Sequence, residues 1–344
     1  VRAAAFHRYP NAFLQFEDFS SDKAMLLLNR YRHKHLCFND DIQGTGAVSV
    51  AGVMSALAVQ GIGPEALKEQ RFLIAGAGSA GTGVATALVG AMVVQGLSME
   101  DALKRFWVCD VNGVLGVQSK GGEGRTPLSE EQLPFARDDA SVGLSLLEAA
   151  RVAKPTVVLG LSAVGGLFSE DLVRQVASTC DRPIIFPMSN PTSKAECTAE
   201  QAFAWTDGRC IFGSGSPFEP VTLSDGRHFI PSQCNNMYLF PGLGLGASLI
   251  SARVVSDGMI YAASVAISEC LTEEEKALGR IFPDIDRIRE VSLAVAVAVA
   301  QSAIDEDIAR ELPSLVMEGK ETLTQYVESR MYDPVYVPIV NPHS

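Results

Sequence analysis

The chain is expected to fold as an α/β protein, a doubly wound parallel sheet flanked by helical segments of a second domain, and three observations lead there. From Arg71 onward, short apolar runs alternate with longer helix-compatible stretches. Several of these runs, such as Thr156-Val-Val-Leu-Gly and Pro183-Ile-Ile-Phe, are continuously apolar, as strands covered by helices on both faces should be. A glycine-rich turn closes the first run and opens a long helical stretch.

Strands are expected at 71–76, 105–110, 156–160, 183–188 and 209–213, each ending in turn residues. Ligands of such a sheet belong at the carboxyl ends of its strands. Before the sheet, residues 44–60 form a helix-compatible stretch of Gly, Ala, Val and Ser, small enough for close backbone approach. After it, 243–268 and 291–304 are apolar helix candidates. The final stretch from Met331 carries prolines that exclude a helix and aromatics that need a surface to cover, so it is read as an arm docked on another domain or subunit.

Composition narrows the function. At 344 residues, 47% hydrophobic and 20% charged, the chain can bury a large core. A formal net charge of −12 provides no basic stripe to replace phosphate counterions, which argues against nucleic acid and points to small-molecule work. Seven scattered cysteines without a C-x-x-C pair fit reduced thiols in an intracellular compartment. The apolar run at 292–300 falls short of the ~20 residues that cross a bilayer, so it is read as a buried helix and no membrane partner is expected. The chain starts Val1-Arg-Ala-Ala, which reads as the interior of a longer protein.

The run Arg71-Phe-Leu-Ile-Ala-Gly-Ala-Gly-Ser-Ala-Gly places Gly76, Gly78 and Gly81 in G-x-G-x-x-G spacing between a strand and a helix. This is the Rossmann-type phosphate turn: the first glycine bends tightly, the second admits a pyrophosphate, and the third lets helix pack on strand. Helix N-terminal amides would then hold the phosphates. The next strand ends in Asp110, the place for an acid that hydrogen-bonds the adenosine ribose. A tight turn without any ligand is the plainer alternative. Two acidic pairs, Glu17-Asp18 and Asp40-Asp41, offer hard oxygen donors suited to Mg²⁺ or Mn²⁺, although adjacent acids are also common surface features.

Several strings together strongly resemble the malic enzyme family. They are Phe16-Glu-Asp-Phe, Phe38-Asn-Asp-Asp-Ile-Gln-Gly-Thr, the Gly76 turn, Leu161-Ser-Ala-Val-Gly-Gly-Leu-Phe, Met188-Ser-Asn-Pro-Thr, Ala195-Glu-Cys-Thr-Ala-Glu, Gly213-Ser-Gly-Ser-Pro-Phe and Asn235-Asn-Met-Tyr-Leu-Phe-Pro-Gly. The resemblance implies oxidative decarboxylation of malate to pyruvate, with NAD or NADP and Mg²⁺ or Mn²⁺. It implies Glu17, Asp18 and Asp41 as metal ligands and Asp40 as the neighbour that orients a catalytic lysine. It implies Gly76, Gly78, Ser79, Ala80, Gly81 and Asp110 as cofactor contacts, Ser162 on a second cofactor loop, and Asn190 and Asn235 as substrate ligands beside the nicotinamide.

The same resemblance implies domain limits: residues 1–39 finish a substrate domain, 40–235 form the dinucleotide domain, 236–305 return to the first, and 306–344 form a helix and arm. A homo-oligomer, dimer or tetramer, is also implied. The family's tyrosine acid, lysine base and substrate-binding arginine lie in a preceding portion without counterpart here, so a catalytically silent dinucleotide-binding or assembly piece is the alternative reading.

For the cofactor, Lys120 and Arg125 are placed to meet a 2′-phosphate, whereas Asp110 would repel one. Gln132 stands where NADP-using relatives often carry lysine, and the balance leans to NADP. Cytoplasm and mitochondrion are not separated. His33, His35 and His228 read as solvated, and Cys234 as an inert buried thiol.

Overall fold

The computed structural model describes residues 7–9, 11–117 and 127–334. Two three-residue strands, β1 (Leu14–Phe16) and β2 (Cys37–Asn39), pair in parallel around helix α1 (Ser21–Tyr31). The chain then passes through a single π-type turn, Asp40–Gly44, into α2 (Thr45–Gln60).

Next come β3 (Phe72–Ala75), α3 (Ser79–Val94), α4 (Met99–Leu103), β4 (Phe106–Asp110) and β5 (Gly113–Val114). Helix α5 (Leu146–Ala153), β6 (Val157–Gly160), α6 (Glu170–Thr179), β7 (Ile184–Pro187), α7 (Ala199–Trp205) and β8 (Ile211–Ser214) continue the alternation. A small hairpin, β9 (Val221–Thr222) with β10 (His228–Phe229), precedes β11 (Ser232–Gln233).

The five anticipated strands all form, and they join β5 and β11 in a seven-stranded sheet of order β11-β8-β7-β6-β3-β4-β5. Every neighbouring pair is parallel except β4 with β5, where a short reversal closes that edge. Strand order reverses between β3 and β6, so the crevice beyond their carboxyl ends is the switch point where such sheets bind ligands.

Both faces are buried, for a period-two reason. Phe72 and Ile74 point into one cluster with Val48 of α2 and Leu88 of α3, while Leu73 and Ala75 point into the other with Ala149, Val173 and Phe203 of α5, α6 and α7. Phe72 and Phe106 stack across β3 and β4 with ring centroids 4.7 Å apart. Burying each such ring contributes about 1.5–3 kcal/mol. Helices start where polar caps follow the strands: Ser145 and Thr198 form capping boxes for α5 and α7.

After the sheet lie α8 (Phe240–Leu249), α9 (Asp257–Glu269), α10 (Glu273–Ala277), α11 (Ile288–Asp305), α12 (Ser314–Met317) and α13 (Leu323–Glu328). The stretch 243–268, read above as one helix candidate, is therefore two. Ser251 turns the chain at φ +49°, and the Ser256 hydroxyl accepts the Met259 N–H at 3.0 Å to start α9. The apolar composition of 243–268 hid this break. Helices α8, α9 and α11 share the buried cluster of α2, through Leu243, Met259 and Val295.

Hydropathy needs one correction. Residues 40–60 form a 21-residue helical stretch of mean hydropathy 1.5, long and apolar enough to cross a membrane. It is instead a core element, 78% buried. Its small residues serve packing: a Cβ on Gly46 would meet Ala87 Cβ of α3 at 2.9 Å. The 292–300 run lies within α11 and is buried on one face, as expected. Of the C-terminal arm, residues 335–344 lie outside the described part.

Candidate cofactor and substrate site

The glycine turn shows three different needs at three positions. Gly76 has φ +118°, and a Cβ there would come closer than 3.0 Å to the Leu161 carbonyl beyond β6. A Cβ on Gly81 would collide with the Gly76 carbonyl. A Cβ on Gly78 would meet nothing within 4 Å. The first and third glycines thus close the turn, whereas the second faces open space of the kind a pyrophosphate needs.

Helix α3 begins there without a side-chain cap, leaving the first-turn amides of Ser79, Ala80 and Gly81 to another acceptor. Gly78 and Ala80 are exposed and Ser79 half-buried.

Asp110 ends β4 beside this turn, since Gly76 N–H donates to the Cys109 carbonyl at 2.9 Å. Its carboxylate accepts the Asn112 N–H at 2.6 Å, which holds the side chain in a local turn. Gln132 reaches the same place: its Nε2 donates to the Ala77 carbonyl at 2.8 Å. Lys120 and Arg125 lie outside the described residues.

Across the switch point, Ser162 follows β6 and Ser189-Asn190 follow β7, both at carboxyl ends. Ser162 is half-buried and Asn190 exposed. Asn235 follows β11 at the same end of the sheet, and its Oδ1 accepts the Met237 N–H at 3.0 Å. Cys234 beside it is buried and its thiol is pushed up by that burial, in keeping with an inert role. Sequence reasoning missed Glu196, which is 0% exposed and accepts from both Ser162 and Ser189. The string Ala195-Glu-Cys-Thr-Ala-Glu contains it, but nothing local in that string assigns the carboxylate a role.

The acidic pairs are brought together by the β1–β2 ladder. Its register pairs Phe16 with Asn39, so one step further Glu17 and Asp18 run alongside Asp40 and Asp41. Asp18, at φ +58°, donates its N–H to an Asp41 carboxylate oxygen at 2.9 Å. Asp40 is buried, and burial pushes it up to about 6; Asn236 opposes this, and the carboxylates of Glu17 and Asp41 add to it.

Asp41 is likewise raised by burial, against the hydrogen bond from Asp18 and with repulsion from Asp18 and Glu17. Asn236, also missed from sequence, places its Nδ2 2.9 Å from Asp40 Oδ2, while Asp40 Oδ1 is buried without a partner. The carboxylates of Glu17, Asp18 and Asp41 are all hard oxygen donors, the type that suits a divalent cation, while the orphaned Asp40 oxygen is left for a separate donor. Among the described residues, however, no three acidic, His or Cys side chains converge closely enough to hold a metal ion as they stand.

The fold and its glycine turn define a protein of the doubly wound, dinucleotide-binding class. The family described as malic enzyme, NAD-binding domain, matches residues 42–304. The chain is 45% identical over 336 residues to an NADP-dependent malic enzyme of Dictyostelium discoideum, covering 97% of this chain and 59% of that protein. It is 42% identical over 354 residues to a mitochondrial NAD-dependent malic enzyme of Solanum tuberosum, covering 98% and 56%.

Among solved structures, the malic enzyme of Entamoeba histolytica matches with a TM-score of 0.67 at 24% identity, over 92% of this chain and 57% of that one. That of Pyrococcus horikoshii matches at 0.65 and 26%, over 92% and 67%. The chain belongs to the malic enzyme family. It spans 59% and 56% of the length of the two curated relatives.

Proposed function

We propose that this chain is the cofactor- and metal-binding part of an enzyme that oxidises malate and decarboxylates it to pyruvate and CO₂. The observation that carries the proposal is the β1–β2 register, which gathers two acidic pairs from separate segments into one cluster. A metal-dependent hydroxy-acid enzyme needs such a cluster; a dinucleotide-binding domain alone does not.

In this reading Glu17, Asp18 and Asp41 would hold Mg²⁺ or Mn²⁺, whose contribution is to polarise a substrate oxygen and stabilise developing negative charge. The dinucleotide contributes a hydride acceptor. The chain's own residues bind and orient. The Gly76–Gly81 turn and the α3 amides hold the pyrophosphate, with Ser162 closing over the other side of the switch point. Asp40, fixed by Asn236, sits beside the donor cluster, where it would orient a cationic side chain that moves the hydroxyl proton. Asn190 and Asn235 offer neutral hydrogen bonds that fix the substrate's carboxylate and the carboxamide, so that the reacting carbons align.

Of the two dinucleotides the proposal takes NAD, against the lean drawn from the sequence. The Asp110 carboxylate at the end of β4 would repel a 2′-phosphate, and Gln132 is neutral and tied to the turn at Ala77. Residues 236–305 would complete the substrate domain, a homo-oligomer would use the C-terminal segment where Tyr332 is 82% exposed, and seven free thiols suit an intracellular setting.

The test is malate-dependent formation of reduced nicotinamide by the full-length protein, with Mn²⁺, NAD or NADP in parallel, and a chelator control. Chelator-sensitive turnover is expected. A protein that binds dinucleotide yet yields no reduced cofactor from malate would overturn the proposal and favour the catalytically silent alternative.

A further inference from the structure

We propose that Glu196 is a positioning residue that locks the cofactor-facing loop after β6 and the substrate-facing segment after β7 into one register. The inference rests on the function proposed above and deepens it. Glu196 is wholly buried and makes no ion pair among the described residues. A carboxylate in that condition is costly unless its oxygens are saturated by donors.

They are. Oε1 accepts from Ser162 N–H at 3.0 Å, Ser162 Oγ at 2.9 Å and Ser189 Oγ at 2.6 Å, and Oε2 lies 3.4 Å from Ser189 N–H. Glu196 lies at the far end of the β7–α7 connection, seven residues after Ser189, and reaches across to the loop after β6 through Ser162. The sheet makes room for it: a Cβ on Gly160, the last residue of β6, would come closer than 3.0 Å to the Glu196 carboxyl carbon.

Polarity makes the arrangement directional. An ionised carboxylate can only accept, so both serine hydroxyls must spend their single proton on it. Their lone pairs then accept from the loop itself: Ser189 Oγ takes the Ala163 N–H at 2.9 Å, and Ser162 Oγ takes the Val164 N–H at 3.1 Å. Ala163 is a non-glycine residue at φ +56°, a conformation that needs outside support. The support is relayed from Glu196 through Ser189, whose chain neighbour is Asn190. Moving the carboxylate would therefore shift the Ser162 loop and the Asn190 segment together. A displacement of about 1 Å at a reacting geometry costs on the order of a hundredfold in rate.

The decisive variants in the full-length protein are Glu196→Asp, which shortens the reach by one methylene, Glu196→Gln, which keeps an acceptor in place, and Ser162→Ala and Ser189→Ala. Dinucleotide Kd is read from fluorescence of the bound reduced cofactor, malate KM and kcat from steady-state turnover, and folding from Tm.

Glu196→Asp should weaken dinucleotide binding about tenfold and lower kcat/KM for malate about a hundredfold. Glu196→Gln should restore most of both. Ser162→Ala should act mainly on dinucleotide Kd, and Ser189→Ala, which also removes the support of Ala163, on both dinucleotide Kd and malate KM. A Glu196→Asp protein with lowered Tm but wild-type Kd and kcat/KM would overturn the proposal.

If that variant does not fold, the double Ser162→Ala/Ser189→Ala variant decides, and wild-type values for it overturn the proposal equally. If the wild type binds dinucleotide without oxidising malate, the functional reading fails while the Kd comparison still judges Glu196.

Discussion

The backbone N–H of Asp18 donates to the carboxylate of Asp41 at 2.9 Å, across 23 residues of sequence. That bond continues the β1–β2 ladder past its last paired residues, Phe16 and Asn39, and sets two acidic pairs side by side. Burial, first, and the neighbouring carboxylates, second, make the charged forms of Asp40 and Asp41 unfavourable and raise both groups. In the proposed enzyme a bound divalent cation would offset this cost by stabilising the folded state it binds.

Two effects of opposite sign follow for the acidic cluster. Asp41→Asn in the full-length protein should raise the Mn²⁺ concentration for half-saturation by on the order of a hundredfold, with dinucleotide Kd unchanged. An unaltered Mn²⁺ titration would remove Asp41 from the ligand set. In metal-free protein, Asp40→Asn should stabilise.

The folded carboxyl of Asp40 titrates near 6 against an ordinary 3.8, so the folded state holds the extra proton and stability falls as pH rises through that window. A gain in Tm of about 2–4 °C at pH 7 is expected, vanishing below pH 3.8. Calorimetry across pH in the presence of chelator measures it.

The glycine turn separates packing from binding. Gly76→Ala and Gly81→Ala place a Cβ against backbone carbonyls that cannot retreat, and Gly76 adds a positive φ, so each should lower stability by about 2 kcal/mol or more. Gly78→Ala meets open space and should melt like the wild type. Its methyl group would instead occupy the approach to the pyrophosphate, weakening dinucleotide binding by about tenfold or more. Equal Tm losses for all three substitutions would contradict this division of roles.

What could be read from sequence was whatever local period and turn chemistry encode. The β-rich runs ending at Ala75, Asp110, Gly160, Pro187 and Ser214 form the sheet because continuous apolar residues must be covered on both faces. The Gly76 triplet was legible because each glycine has its own steric duty.

The break at Ser251 was not, since a left-handed residue between two apolar helices changes no periodicity. Nor was the pairing of Asn236 with Asp40, 196 residues apart: the reading stopped at the neighbouring Asn235, which caps a short helix locally. Glu196 stood in a family string, but its role was not legible, because its four donors come from residues 7 and 34 positions away. Contacts between distant segments are set by the tertiary fold, and only the resemblance to a family pointed at some of them.

Glu275 supplies a test of acid stability away from the site. Burial alone would raise its pKa, but hydrogen bonds from the Thr272 and Asp284 N–H groups and from Arg287 outweigh that and hold it below the usual range. The distances are 2.9, 2.8 and 2.8 Å. A depressed folded pKa contributes stability above the unfolded value of 4.5 and loses it as pH falls through the folded one. Glu275→Gln should therefore cost about 1–2 kcal/mol at pH 7, and the gap to wild type should close below pH 4.5. A gap that persists unchanged in acid would mean that shape, not charge, holds this corner.

In the proposed enzyme Asp110 is expected to bias the choice of dinucleotide. Its carboxylate ends β4 next to the Gly76 turn and is held in place by the Asn112 N–H, so it cannot swing away at no cost when a second anion arrives. A 2′-phosphate beside it meets like-charge repulsion, whereas a ribose hydroxyl can donate to it. The expected kcat/KM therefore favours NAD over NADP by about tenfold or more.

Asp110→Asn keeps the turn, because an amide oxygen still accepts from Asn112, and removes the charge; it should narrow the ratio by improving NADP rather than harming NAD. Lys120→Ala and Arg125→Ala supply the opposing control. Should the wild type prefer NADP, and lose that preference alone when those two cations are removed, the charge beyond Asp110 would be the one that governs the choice.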